Sequence, residues 1–210
     1  MSDISYLRKL MGAVDSPKKI IAIVAGRFHP FHKGHAAMYA FMVREYGANQ
    51  TFISTSGKID PPKSPFTFAE KKKMIEYAGV DPRVVAQCSQ PYVPIEILQH
   101  FEPETDSVVF AVSEKDMAED PRFTFAPKKN GEPSYFQRWQ SDETMEPFNT
   151  HGYIRIAPTL DFEVNGEPMR SASEFRANFA RADKKTQAAM IADLYGSYDP
   201  LVHKIMAGRL

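Results

Sequence analysis

The sequence predicts an α/β fold built on a doubly wound parallel sheet. Continuous apolar, largely β-branched runs stand at 20–25 and 108–112, and stretches with helical spacing of apolar residues lie between successive runs. An uninterrupted apolar run marks a strand covered on both faces, and parallel strands of that kind need crossover helices.

The elements follow in order. Tyr6, Leu7, Leu10, Met11 and Val14 repeat at helical spacing, so 1–19 reads as a short amphipathic helix and a linker. Ile20-Ile21-Ala22-Ile23-Val24-Ala25 is the first strand, and Met38, Phe41, Met42 and Tyr46 set out a helix over 34–46. Thr51–Thr55 is a second strand, followed by a Gly-, Pro- and Lys-rich loop at 56–66 and a helix over 67–78. Val84-Val85-Ala86 gives a third strand, 94–101 a helical stretch, and Ser107–Val112 a central strand. The segment 117–150, dense in Pro, Asp, Lys and aromatics, has weak periodicity and reads as an irregular insertion. A fifth strand at 153–156 precedes helices over about 172–195 and a last one near 200–207. The organisation expected is an N-terminal helix and linker (1–19), one domain (20–195) and a C-terminal helical tail (196–210).

Bulk composition narrows the function. The 210 residues suit one domain, and 26 basic residues balance 26 acidic ones, so no global field favours nucleic acid or an anionic membrane. One cysteine, Cys88, excludes an intrachain disulfide and a multi-cysteine zinc site. The opening Met1-Ser2-Asp3-Ile4 lacks a secretory layout, and no apolar run nears the ~20 residues a membrane span needs. A cytoplasmic protein without nucleic-acid or membrane partners is expected; homo-oligomerisation is left open.

The first chemical motif is Gly26-Arg27-Phe28-His29-Pro30-Phe31-His32-Lys33-Gly34-His35, which leaves the first strand and opens the first helix. In a doubly wound sheet ligands bind at the carboxyl ends of strands. Gly26 permits close approach to the backbone, Pro30 confines the turn, and Gly34 leaves the helix N-terminus open to an anion. His32 and His35, three residues apart, point to one side of the first helical turn, where two imidazoles can donate hydrogen bonds to a phosphoryl-transfer transition state. No Asp or Glu joins them within the motif, which disfavours zinc.

The second motif is Ser171-Ala172-Ser173-Glu174-Phe175-Arg176. Ser171 and Glu174 have capping-box spacing. Alone this is only a helix start; beside the first motif, Ser171, Ser173 and the first-turn amides read as a second anion site, with Arg176 one turn on.

These residues resemble the HxGH nucleotidyltransferase superfamily, whose fingerprint G-x-F-x-P-x-H-x-G-H is matched here at every fixed position, and whose S-[SGA]-[ST]-x-x-R signature falls on Ser171, Ser173 and Arg176. Ser-Ala-Ser-x-x-Arg is similar to small phage-encoded members, and Ser64-Pro65-Phe66-Thr67 with Glu70 and Lys71 is similar to a stretch of nicotinamide mononucleotide adenylyltransferases. The resemblance implies a Rossmann-like fold and transfer of a nucleotidyl group assisted by Mg²⁺ carried on the phosphates, with no side-chain metal ligand. It assigns His32 and His35 to catalysis, and Gly26, Arg27, Phe28, Gly34, Ser171, Ser173 and Arg176 to the nucleotide. The partners implied are a nucleoside triphosphate and a phosphorylated small-molecule acceptor. AMP transfer to nicotinamide mononucleotide is the first expectation, a cytidylyltransferase acting on a phosphorylated alcohol the second, and a non-catalytic nucleotide sensor the third. The chain has His29 where the adenylyltransferases often carry Gln, and Val112 before Ser113 where relatives often carry Gly.

Lys58 and Lys63 lie in the loop at 56–66 as further candidate phosphate contacts. Lys71-Lys72-Lys73 reads as a solvated helix face. Trp139, with Tyr135 and Phe136, fits stacking on a base or ordinary packing in the insertion.

Overall fold

A computed structural model describes residues 18–119, 123, 125–169 and 171–210. The helix expected over 1–19 therefore lies outside the described residues but for Lys18 and Lys19.

The apolar runs form the strands of one sheet: β1 (Ile20–Ala25), β2 (Thr51–Thr55), β3 (Val85–Gln87), β4 (Ser107–Ser113), β5 (Phe136–Arg138) and β6 (Gly152–Ala157). All pairings are parallel and the order is β3-β2-β1-β4-β6-β5. The chain thus winds outward from β1 in one direction, returns to β4 on its other side and continues the opposite way. The carboxyl ends of β1 and β4, in register from Ile20↔Ser107 to Val24↔Ala111, flank the switch in winding.

Alternation along the central strands fills both faces. Ala22, Val24 and Val109 point into one cluster with Met38, Met42 and Ile75, whereas Ile21, Ile23, Val108 and Phe110 point into another with Cys88, Ile97 and Phe123. Each large side chain so buried contributes about 1.5–3 kcal/mol. The crossover α1 (Lys33–Tyr46) belongs to the first cluster, and α2 (Phe68–Tyr77) follows the loop at 56–66. The short helices α3 (Ile95–Leu98) and α4 (Glu114–Glu119) flank β4 in sequence. Thr67 and Glu70 form the capping box that the sequence predicts for α2.

The expectation that 117–150 is irregular throughout is corrected. The insertion carries β5, whose Phe136–Arg138 pair with Gly152–Ile154 and add a sixth strand outside β6. Between β6 and the C-terminal helices lies a hairpin of β7 (Glu163–Val164) and β8 (Glu167–Pro168), turned at Asn165 and Gly166 with φ of 55° and 73°. A two-residue turn of positive φ suits the twist of a hairpin and favours Asn-Gly.

The helical stretch at 172–195 divides into α5 (Ala172–Arg181) and α6 (Lys184–Tyr195), the second capped by Asp183 Oδ1 accepting from Thr186 N. Together with α7 (Pro200–Ala207) they enclose a third apolar cluster of Phe175, Phe179, Ile191, Leu194 and Met206, into which Phe66 and Met74 also pack. This cluster fixes α5 against the loop that precedes α2.

Candidate active site

The loop leaving β1 is held from below. Gly26 N donates to Ser54 O at 3.0 Å. A Cβ on Gly26 would meet Phe28 Cε1 at 2.6 Å, so the missing side chain admits the Phe28 ring. Phe28, at φ 50°, is buried and lies edge-on to His35 with centroids 4.9 Å apart. Its place is behind the histidine, in contrast to the nucleotide contact the resemblance implies.

His32 and His35 open α1 as a reciprocal cap. Gly34 N donates to His32 Nδ1 at 3.1 Å, and His32 N donates to His35 Nδ1 at 3.3 Å. The rings stack with centroids 3.7 Å apart. Because each Nδ1 accepts, each neutral ring carries its proton on Nε2. Burial lowers the pKa of His32 to about 4, and burial beside His32 lowers that of His35 well below the usual range. At neutral pH the pair is therefore two uncharged Nε2–H donors whose other nitrogens are fixed to the backbone. The space beside Gly34 is filled by the rings of His32 and Phe162, 3.0 and 3.3 Å from a notional Cβ.

Both histidines line a cavity of about 630 Å³ whose wall also includes Arg27, Lys63, Ser171, Ser173 and Arg176. The two motifs, about 140 residues apart in the chain, thus meet across one space. Ser171 caps α5, its Oγ accepting from Glu174 N at 3.1 Å; the return bond from the exposed Glu174 does not form among the described residues. Arg176 donates to His29 O at 2.6 Å, Pro62 O at 3.1 Å and Ser173 Oγ at 3.1 Å. One guanidinium so ties the first loop, the loop at 56–66 and α5 together, and two of its five N–H groups are left for a ligand.

His29 is 4% exposed and stacks on Phe66 at 5.8 Å, with Nδ1 accepting from Phe66 N at 3.4 Å. Burial and the charges of Lys71, Arg176 and Arg27 lower its pKa to about 3, and its buried Nε2 has no hydrogen-bond partner. Lys71 departs from its expected place. It is fully buried, with Nζ donating to Thr55 Oγ1 at 2.9 Å, Arg27 O at 3.2 Å and Ser56 O. Burial lowers its pKa to about 8. Lys72 and Lys73 keep the more solvated side of α2.

Of the residues singled out in the sequence, Arg27, His32, Gly34, His35, Lys63, Ser171, Ser173 and Arg176 line the cavity, while Gly26, Phe28 and the exposed Lys58 do not. Trp139 sits elsewhere, its Nε1 donating to Asp142 and its ring under Arg155 at 4.0 Å. Sequence reasoning missed Met38, Asp116 and the 158–162 stretch with Asp161 and Phe162, all of which line the cavity. Ser113, at the end of β4, lines it too and accepts from Asp116 N at 3.0 Å. Among the described residues no group of three or more His, Cys, Asp and Glu side chains is arranged to hold a metal. No helix among them is long and apolar enough to cross a membrane.

A parallel sheet wound both ways from β1, with a cavity lined by Arg27, His32, His35 and Arg176 beside its switch point, places the chain in the Rossmann-like class of α/β folds. The cytidylyltransferase-like family model matches residues 23–150, and the chain belongs to that family. A nicotinamide-nucleotide adenylyltransferase of Methanolobus tindarius is 35% identical over 78 residues, 37% of this chain and 43% of that protein. A crystal structure of a bifunctional NMN adenylyltransferase/ADP ribose pyrophosphatase from Francisella tularensis superposes with a TM-score of 0.52 at 17% identity, covering 91% of this chain and 49% of that one. The chain thus spans less than half the length of these relatives. The superposition agrees with the Rossmann-type sheet described above.

Proposed function

We propose that this chain is a nucleotidyltransferase that moves AMP from ATP to a phosphorylated acceptor with release of pyrophosphate, and that the acceptor is nicotinamide mononucleotide. The observation that carries this reading is the reciprocal cap of His32 and His35, which directs chemistry to Nε2 by occupying both Nδ1 atoms. Two fixed neutral donors suit a phosphorus centre that gains negative charge on its equatorial oxygens as it reacts. The choice of acceptor rests on the similarity to the Methanolobus protein together with Ser64-Pro65-Phe66-Thr67.

In this mechanism an oxygen of the acceptor phosphate forms a bond to the α-phosphorus in line with the bond to the β-phosphate. That bond breaks and pyrophosphate leaves with the electron pair. The acceptor oxygen is already anionic, so no general base is needed, and the protein positions and neutralises charge. His32 and His35 donate to the reacting phosphoryl group. Arg27, Lys63, Arg176 and the N-terminus of α5 with Ser171 and Ser173 hold the remaining phosphates. Asp116 and Asp161 in the cavity wall are the carboxylates that would help hold Mg²⁺, which would supply further neutralisation of the phosphate charge.

The test is pyrophosphate release across four nucleoside triphosphates and a panel of phosphorylated acceptors. The reading predicts turnover with ATP and nicotinamide mononucleotide. Turnover only with CTP and a phosphorylated alcohol would replace it with a cytidylyltransferase, and triphosphate binding without pyrophosphate from any pairing would replace it with a sensor.

A further inference from the structure

A buried lysine normally meets a carboxylate or gives up its proton, because an unpaired charge away from water costs several kcal/mol. Lys71 is 0% exposed, and its Nζ meets only neutral oxygens: Thr55 Oγ1, Arg27 O and Ser56 O. Among the described residues it makes no ion pair. On its own helix, Glu70 is engaged by Thr67 and Arg209. From the first loop the ionisable group that Lys71 acts on is His29, which burial keeps neutral, and Arg176 and Arg27 add their positive charges around that histidine. His29 in turn holds a buried Nε2 without an acceptor and lines the cavity. A concentration of positive charge with no internal counterion, beneath a wall of anion-binding groups, is a site completed by its ligand.

We propose that Lys71 is a positioning residue whose buried charge is balanced by bound phosphate, so that an oligophosphate binds with uptake of a proton wherever the free protein has lost it from Lys71. Lys71 acts through the Arg27 carbonyl and through the field it sets around His29, without touching the ligand. The inference rests on the nucleotide-binding reading above.

In the free protein burial holds the Lys71 pKa at about 8. A polyanion nearby favours the charged form and raises that value. Linkage then makes affinity fall about tenfold between roughly pH 7 and pH 9 as the free lysine deprotonates.

Calorimetric titration of metal-free ATP, nicotinamide mononucleotide and inorganic tripolyphosphate at both pH values, in buffers of different protonation enthalpy, measures affinity and proton uptake together. The native protein should show the tenfold loss and uptake of close to one proton at the higher pH. Lys71→Arg, whose guanidinium stays charged, should bind with pH-independent affinity and no uptake. Linkage with ATP and tripolyphosphate alone places the balancing anion in the triphosphate tail; linkage with the mononucleotide places it in the acceptor phosphate. ATP binding without proton uptake by the native protein, or with the same uptake in Lys71→Arg, overturns the proposal and leaves the nucleotide reading standing. Failure of ATP to bind at either pH overturns both. The titration of the native protein decides the matter even if the variant does not fold.

Discussion

Replacing His35 separates the two jobs its ring performs. Nδ1 accepts the His32 N–H and so helps cap α1, whereas in the proposed mechanism Nε2–H is the donor to the reacting phosphoryl group. Asparagine places an acceptor where Nδ1 stands and has nothing at the Nε2 position; glutamine reaches the Nε2 position and abandons Nδ1. Loss of one donor aimed at transition-state charge costs about 10²–10³ in kcat, near 3–4 kcal/mol. Loss of a helix cap costs about 1 kcal/mol of stability. His35→Asn should therefore melt close to the parent, bind ATP with little change and lose at least a hundredfold in pyrophosphate release. His35→Gln should melt lower yet keep more of the rate. Steady-state assays, ATP titration and thermal melts on the pair read out all three quantities. His35→Asn turning over within tenfold of the parent would refute the assignment, and His35→Gln losing more rate than His35→Asn would place the essential atom at Nδ1.

Arg176→Ala should raise the ATP dissociation constant at least tenfold and leave that for AMP nearly unchanged, since charge-assisted bonds to the outer phosphates are worth about 1.5–3 kcal/mol each; equal weakening of both in calorimetry would assign Arg176 to holding its loops together. Gly26→Ala should cost about 1–3 kcal/mol, because its Cβ displaces the Phe28 ring that backs His35; an unchanged melting temperature and rate would show that the ring has room to move. His29 and His32 titrate at about 3 and about 4 when folded, below the ordinary value near 6.5. The stability they confer is whole above about pH 6.5 and is lost as pH falls toward their folded values, up to about 2 kcal/mol each by pH 5. A melting temperature of the free protein that stays flat from pH 7 to pH 5 would contradict this.

Much of the fold is legible because buried parallel strands leave a plain mark. Ile20–Ala25 and residues 108–112 of the strand Ser107–Ser113 have the apolar composition that burial on both faces requires, and the two glycines, the proline and the three histidines at 26–35 locate the crevice. What is not legible depends on tertiary contact. Phe136–Arg138 is a strand only because β6 offers it an edge, and three residues are too few to show alternation. Asn165-Gly166 does signal a hairpin, but strands of two residues give that turn no flanking pattern. Helical spacing sets Lys71, unlike Lys72 and Lys73, on the face of Met74 and Ile75, but what its Nζ meets there, Thr55, Ser56 and Arg27, is set by tertiary contact. Phe28 and Gly26 match the superfamily fingerprint, yet the structure uses them to seat His35. A residue can thus stand in a binding motif and serve the packing behind it.

The most direct test of the central claim is the product of one defined incubation: the protein with ATP, nicotinamide mononucleotide and Mg²⁺, followed by phosphorus NMR. The account predicts that pyrophosphate and a dinucleotide joined through a new phosphoanhydride appear in equal amounts, and that omitting any one component abolishes both. ATP that binds but yields neither product, with this acceptor and with every other phosphorylated acceptor supplied, would contradict it.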